Sequence, residues 1–214
     1  MPERVSVDLL TLELSKTKEG LYIAPERRKL ASGRMSCFYL NIGDRVMSYP
    51  YLKSMTVTAL TETYLKADVE GRSDRIIGVP EGMHNLTSSV GDRLYIGQLK
   101  VREHHTDHGD QKSIEGEYEP GMTVGVFEDV MSTGGSTITR AIEPVKAAGL
   151  TPNLVIALVD RQYGGIPKLR NELHIPTFAY TNTRELVESL LRQDIPSIAQ
   201  IKLLEQELAE LTSA

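Results

Sequence analysis

Cysteine is nearly absent, with Cys37 standing alone among 214 residues. A single thiol cannot close an internal disulfide or build a thiolate zinc site. Such a chain fits a reducing compartment, and the cytoplasm is the expected location. Basic runs are also missing, and the net charge is −5, so nucleic acid binding has no electrostatic footprint. No window approaches the ~18 consecutive apolar residues of a membrane span. The N-terminus places Glu3 and Asp8 where a secretory signal needs a basic and then an apolar run. No internal repeat or low-complexity tract is present.

What is present suits a globular α/β domain. With 40% apolar and 25% charged residues, the chain can bury a core without disulfides or structural metal. Its length fits one domain over 1–214. The runs Arg75–Val79, Thr123–Phe127 and Leu154–Val159 read as buried strands, with Thr177–Tyr180 a weaker fourth. Between the second and third, Ile138, Ala141, Ile142, Val145 and Ala148 follow helical spacing, and Gly149 is a natural stop. Strand, helix and strand in this order imply a parallel sheet with a right-handed crossover. Pro50–Lys66 reads as an earlier helix. Residues 97–120 are polar and lack periodicity, which predicts an exposed, mobile loop flanked by a strand pair. Thr183–Leu211 is helical with a break near Pro196. Its last part, Ile198, Ile201, Leu204, Leu208 and Leu211, makes an apolar packing stripe.

The chemistry concentrates between Val124 and Thr137. A buried strand ends in two carboxylates, Glu128 and Asp129, and Val130 and Met131 follow. The chain turns through Ser132, Thr133, Gly134 and Gly135 and enters a helix at Ser136. Backbone N–H groups, glycines and hydroxyls at a helix start form an anion cradle. Two carboxylates beside a phosphate cradle would repel phosphate alone, and they make sense if the ligand also carries hydroxyls or a divalent cation. A ribose 5-phosphate group satisfies both demands. The bland alternative is an ordinary N-capped turn, and the acidic pair argues against it. Neither a Walker loop nor a dinucleotide fingerprint fits the spacing.

This segment closely resembles the 5-phosphoribosyl-1-pyrophosphate (PRPP) motif of type I phosphoribosyltransferases. Three others resemble the orotate branch: Leu30–Asn41, Asp107–Gly109 with Ile114–Gly116, and Val159–Gly165. The resemblance covers roughly residues 20–192. It implies a mostly parallel, Rossmann-like sheet flanked by helices, a small N-terminal hood (1–45), a flexible loop (97–120) and a C-terminal helix (196–214). It implies transfer of phosphoribose from PRPP to orotate in pyrimidine biosynthesis, with Mg²⁺ carried by PRPP and no direct protein ligand. Glu128 and Asp129 become the catalytic pair on the ribose. Arg102, His108, Val130, Met131, Ser132, Thr133, Gly134, Gly135 and Ser136 join them as PRPP-binding residues. Orotate falls to Arg161, Ser132, Phe38 and Tyr39; the planar fork of Arg161 suits a carboxylate. A homodimer sharing the loop across its interface is also implied. His104, His105 and His108 form a cluster, but at this loop spacing, with no neighbouring rigid element, they argue against a metal site.

The chain departs from the family pattern at its lysines. Glu103, Thr106 and Ala31 stand where the family carries lysine. Positive charge at the loop stabilises the departing pyrophosphate, and losing one such interaction costs about 3–4 kcal/mol. Lys100, Lys112 and Arg102 flank the loop. Two readings follow: an active orotate phosphoribosyltransferase, or a weak or non-catalytic relative that binds PRPP, a nucleotide or another base.

Overall fold

The computed structural model describes residues 5–30, 32–43, 45–67, 72–80, 82–102, 113–134 and 136–212. Among them are helices α1 (Val7–Ser15), α2 (Pro50–Lys66), α3 (His84–Leu94), α4 (Ser136–Ala147), α5 (Gly165–Glu172), α6 (Thr183–Arg192) and α7 (Ile198–Thr212). The strands are β1 (Leu21–Lys29), β2 (Met35–Leu40), β3 (Arg75–Gly78), β4 (Gly97–Val101), β5 (Ile114–Glu115), β6 (Thr123–Met131), β7 (Thr151–Asp160) and β8 (Thr177–Asn182).

The main sheet has the order β5-β4-β3-β6-β7-β8. All neighbours run parallel except β5, which pairs antiparallel with β4 at the edge. Parallel strands are buried on both faces and so read as continuous apolar runs. In β7, Leu154, Ile156 and Leu158 pack into one core with α2 and α6, while Val155 and Ala157 pack into a second with α4 and α5. In α4 the expected stripe is buried: Ile138, Ala141, Ile142 and Val145 face the second core. Gly149 follows that helix with φ +76°, the left-handed conformation that ends helices.

Glycine inside β6 also has a steric cause. A Cβ on Gly125 would come within 2.8 Å of Ser73 Oγ, a hydroxyl that donates to Asn153 Oδ1 at 2.9 Å.

β1 and β2 form a separate antiparallel hairpin, the hood, which docks on α7. Gln200 Nε2 donates to the Ile23 carbonyl at 2.9 Å. Arg27 forms a two-pronged pair with Glu210.

Two expectations need correction. β6 does not end at Phe127 but continues to Met131, so the acidic pair lies within the strand. The apolar stripe of α7 is buried at Leu204 and half-buried at Leu208, yet Ile198 is 81% exposed. The strand pair expected around the polar loop is present as β4 and β5. The loop's centre, with Glu103, Thr106 and His108, lies outside the described residues, as do Ala31 and Gly135. No helix among the described residues is long and apolar enough to cross a membrane.

Candidate functional site

The connections place the site before any side chain is considered. β3 leads through α3 to β4 on one side, whereas β6 lies on its other side and leads to β7. Where neighbouring strands send their connections apart, a crevice opens beyond their carboxyl ends. β3 stops at Gly78, opposite Phe127. Glu128 and Asp129 therefore stand just past the end of that neighbour, at the mouth of the crevice.

The two carboxylates have different surroundings. Glu128 is 4% exposed. Burial, reinforced by the neighbouring Asp129 charge, pushes its carboxyl well above the usual range. Its Oε1 accepts the Asp129 backbone N–H at 3.1 Å. Asp129 is half-buried and faces the hood: its Oδ2 accepts the Gly43 N–H at 3.0 Å and its Oδ1 the Val130 N–H at 2.7 Å. Gly43 in turn lies against the loop after β3, where an added Cβ would sit 3.0 Å from the Gly82 Cα and oxygen. Hood, β3 loop and β6 thus converge on Asp129.

Beyond Met131 the backbone turns through Ser132, Thr133 and Gly134, which has φ +61°. This turn packs directly on the loop that follows β7. Gly165 N–H donates to the Ser132 carbonyl at 3.0 Å, and Arg161 N–H donates to the Met131 carbonyl at 2.8 Å. No side chain fits between them. A Cβ on Gly165 would lie 2.5 Å from the Ser132 oxygen, and one on Gly134 2.8 Å from the Gly165 oxygen. Gly134 and Gly165 are required by this contact.

Arg161 leaves that loop toward the hood. It is 7% exposed, and its Nη1 donates to the Phe38 carbonyl at 2.9 Å. Of the expected base-contacting residues, the structure brings Arg161 and Phe38 into direct contact and holds Ser132 in the adjoining turn. The Phe38 ring itself is fully buried in the core, so only its backbone faces the loop. Tyr39 lies beside Tyr22, ring centroids 6.3 Å apart, and its buried hydroxyl has no partner. The Met131 side chain is likewise core, packed under α4. Arg102 follows β4, at the same carboxyl end of the sheet, and is held by Glu115 of β5. The side chains of Ser136 and Thr137 lie outside the described residues.

Among the described residues, no group of three His, Cys, Asp or Glu gathers to hold a metal ion. Carboxylate oxygens suit Mg²⁺. Here, however, Asp129 is engaged by backbone N–H groups and Glu128 is buried, an arrangement that suits hydroxyls better than direct ligation.

Reading the sequence missed one functional-site neighbour, Glu207 of α7, which is buried against Ser36 and Tyr163. Its signal was available: Glu207 follows Leu204 by one helical turn, on the face of the apolar stripe.

No family model matches the chain. Solved structures resemble it closely in fold. The Leishmania donovani UMP synthase superposes with a TM-score of 0.80 at 24% identity, covering 97% of this chain and 43% of that one. The orotate phosphoribosyltransferase of Aeropyrum pernix superposes with a TM-score of 0.67 at 24% identity, covering 86% of this chain and 99% of that one. Sequence similarity carries further than fold. The orotate phosphoribosyltransferase of Bacteroides fragilis is 34% identical over 165 residues, covering 76% of this chain and 74% of its own length. With that similarity added to an acidic strand end, a glycine turn and a hood-facing arginine, the chain belongs to the orotate phosphoribosyltransferase family.

Proposed function

We propose that this chain transfers the 5-phosphoribosyl group from PRPP to orotate, giving orotidine 5′-monophosphate and pyrophosphate, as a step of pyrimidine biosynthesis. The observation that carries the reading is the placing of Arg161. It stands beside the Ser132–Gly134 turn and is anchored on the Phe38 carbonyl. A base carboxylate bound there would have its ring against the hood, with the phosphate cradle next to it.

Each residue then has a task. The turn from Ser132 through Gly135 to Ser136 takes the 5-phosphate through backbone N–H groups at the start of α4. Glu128 and Asp129 accept hydrogen bonds from the ribose 2- and 3-hydroxyls, and Val130 and Met131 set the distance between acids and cradle. In the transition state positive charge develops at C1 of the ribose, and carboxylates nearby favour it. Arg161 takes the orotate carboxylate with its planar fork, and Ser132 with the Phe38–Tyr39 backbone fixes the ring edge. Arg102 must leave Glu115 to meet pyrophosphate, a small cost for a solvent-exposed pair. His108 is assigned to pyrophosphate by the family pattern alone.

Mg²⁺, when bound with PRPP, neutralises phosphate charge. The reading further includes a homodimer that shares the loop between subunits, acting in the cytoplasm.

The test is turnover. Purified protein with Mg²⁺, PRPP and orotate should consume orotate, followed by loss of its absorbance. Saturable PRPP binding by calorimetry without turnover would instead support the PRPP-binding relative. Light scattering that finds only monomer would remove the shared-loop arrangement.

A further inference from the structure

Glu207 is a buried carboxylate that the assigned roles leave unused. It lies on α7 and is 2% exposed. Its Oε1 accepts from Ser36 Oγ at 2.8 Å and from Tyr163 Oη at 2.9 Å. Its Oε2 accepts the Cys37 backbone N–H at 3.3 Å. Arg27 Nη2 stands 4.0 Å away. Removing a carboxylate from water is strongly unfavourable unless hydrogen bonds replace the lost hydration. Docking α7 does not require it, because Leu204 is fully buried and Leu203 and Leu208 pack on the same core.

The partners show what the carboxylate holds. Ser36 and Cys37 lead directly into Phe38 and Tyr39 on β2. Tyr163 lies in the short loop that begins with Arg161. The two segments joined by the Arg161–Phe38 hydrogen bond are therefore joined a second time, through Glu207. The Tyr163 ring carries a further load: the Arg34 guanidinium lies 4.7 Å from its centroid. The orientation of Tyr163 thus bears on the hood as well as on the arginine loop.

We propose that Glu207 is a positioning residue for the base, an inference that rests on the function proposed above. Through Ser36 and Tyr163 it sets the spacing between the hood strand and the Arg161 loop. It acts on these segments and not on PRPP, whose cradle and acids lie on β6 and α4.

The test separates the two substrates. Wild type, Glu207→Ala, Glu207→Gln, Tyr163→Phe and the Glu207→Ala/Tyr163→Phe double variant are assayed for orotate KM and kcat, with PRPP Kd measured by calorimetry. Glu207→Ala and Tyr163→Phe should each raise the orotate KM about ten-fold, as expected for loss of a hydrogen bond to a charged group. PRPP Kd should stay within about two-fold of wild type. The double variant should be little worse than the worse single, because both break one link. Glu207→Gln keeps the Oε1 acceptor and should recover most of the loss. Equal weakening toward both substrates, full additivity, or an unchanged orotate KM in Tyr163→Phe overturns the positioning role. If Glu207→Ala does not fold, Tyr163→Phe and Glu207→Gln decide the question by the same criteria. A wild type that consumes no orotate overturns the function on which the role rests, an outcome visible before any variant is compared.

Discussion

Arg161 Nη1 donates to the backbone carbonyl of Phe38 at 2.9 Å, joining residues 123 positions apart. The bond fixes the guanidinium of a loop after β7 against a strand of the hood. It uses one edge of a planar, multi-donor group and so orients the rest of it. Arg161→Lys keeps the charge but loses the fork. The expected result is a fall in kcat/KM for orotate of about 100-fold, close to that of Arg161→Ala, with PRPP Kd nearly unchanged. Steady-state kinetics against both substrates checks this. Full activity in Arg161→Lys would mean that charge alone suffices.

Glu128 supplies a prediction that runs in opposite directions for stability and binding. Its folded-state carboxyl is raised by burial and by Asp129. A raised folded value means that the native state holds its proton more tightly than the unfolded chain. The resulting stability is present below the ordinary glutamate range and is lost as pH rises through the folded value. Glu128→Gln removes that loss. Its Tm should exceed wild type at pH 8, and the gain should shrink at pH 4. PRPP affinity should fall at the same time, by about ten-fold or more once Asp129→Asn is added. Thermal melts across pH and calorimetry read the two effects separately.

The contact between Gly134 and Gly165 predicts a sharp contrast among neighbouring glycines. Gly165→Ala would drive a methyl group to within 2.5 Å of the Ser132 oxygen, a backbone atom that cannot swing away. It should cost about 1–3 kcal/mol and disturb the Ser132–Gly134 turn. Gly164 has φ +88° but nothing within 4 Å of an added Cβ. Gly164→Ala should therefore cost only the strain of a left-handed alanine, about 1 kcal/mol. Denaturant melts should show the difference, and PRPP binding should weaken only in Gly165→Ala.

These contacts also show where the sequence was legible. β7 was readable because burial on both faces leaves a continuous apolar run, Leu154–Val159. α4 was readable because one buried face imposes a helical period. The acids and the glycine turn were readable because their chemistry lies in one stretch of chain. The hood strands were not. β1 has the burial pattern of a half-exposed hairpin and includes Pro25, Glu26, Arg27 and Arg28. α5 opens with Gly165 and carries Pro167, which hides a helical signal. Glu207 could not be assigned a role from spacing, because its partners Ser36 and Tyr163 are 171 and 44 positions away. Tertiary contacts, not local pattern, make that carboxylate part of the site.

Arg102 gives a prediction that depends on salt. Its guanidinium is held by Glu115, and that pairing, chiefly through their hydrogen bond, keeps the Glu115 carboxyl below its usual range. If Arg102 serves the pyrophosphate, it exchanges one anionic partner for another. Arg102→Ala should raise the KM for PRPP about ten-fold, with little effect on the orotate KM. Glu115→Gln should leave turnover near wild type or improve it, since the competing partner is weakened. Added salt screens exposed charges, so the difference between wild type and Glu115→Gln should narrow as ionic strength rises. Kinetics at two salt concentrations would reveal this. An Arg102→Ala variant with an unaltered PRPP KM would leave Arg102 as no more than a surface partner of Glu115.

Cys37 reports on the same buried neighbourhood as Glu207. Burial, then the charge of Glu207, raises its thiol to about 11. At pH 8 only about one thiol in a thousand is then ionised, and the thiolate is the reactive form. The thiol is also fully buried in the native protein. A disulfide reagent should therefore label Cys37 slowly under native conditions and rapidly in denaturant. Glu207→Gln removes the neighbouring charge without opening space. It should speed native labelling modestly, while Arg27→Ala, which removes the nearby cation, should slow it or leave it unchanged. Rapid labelling of the wild type would mean that the hood opens away from α7 on the timescale of the assay, and the contacts of Glu207 would then be transient ones.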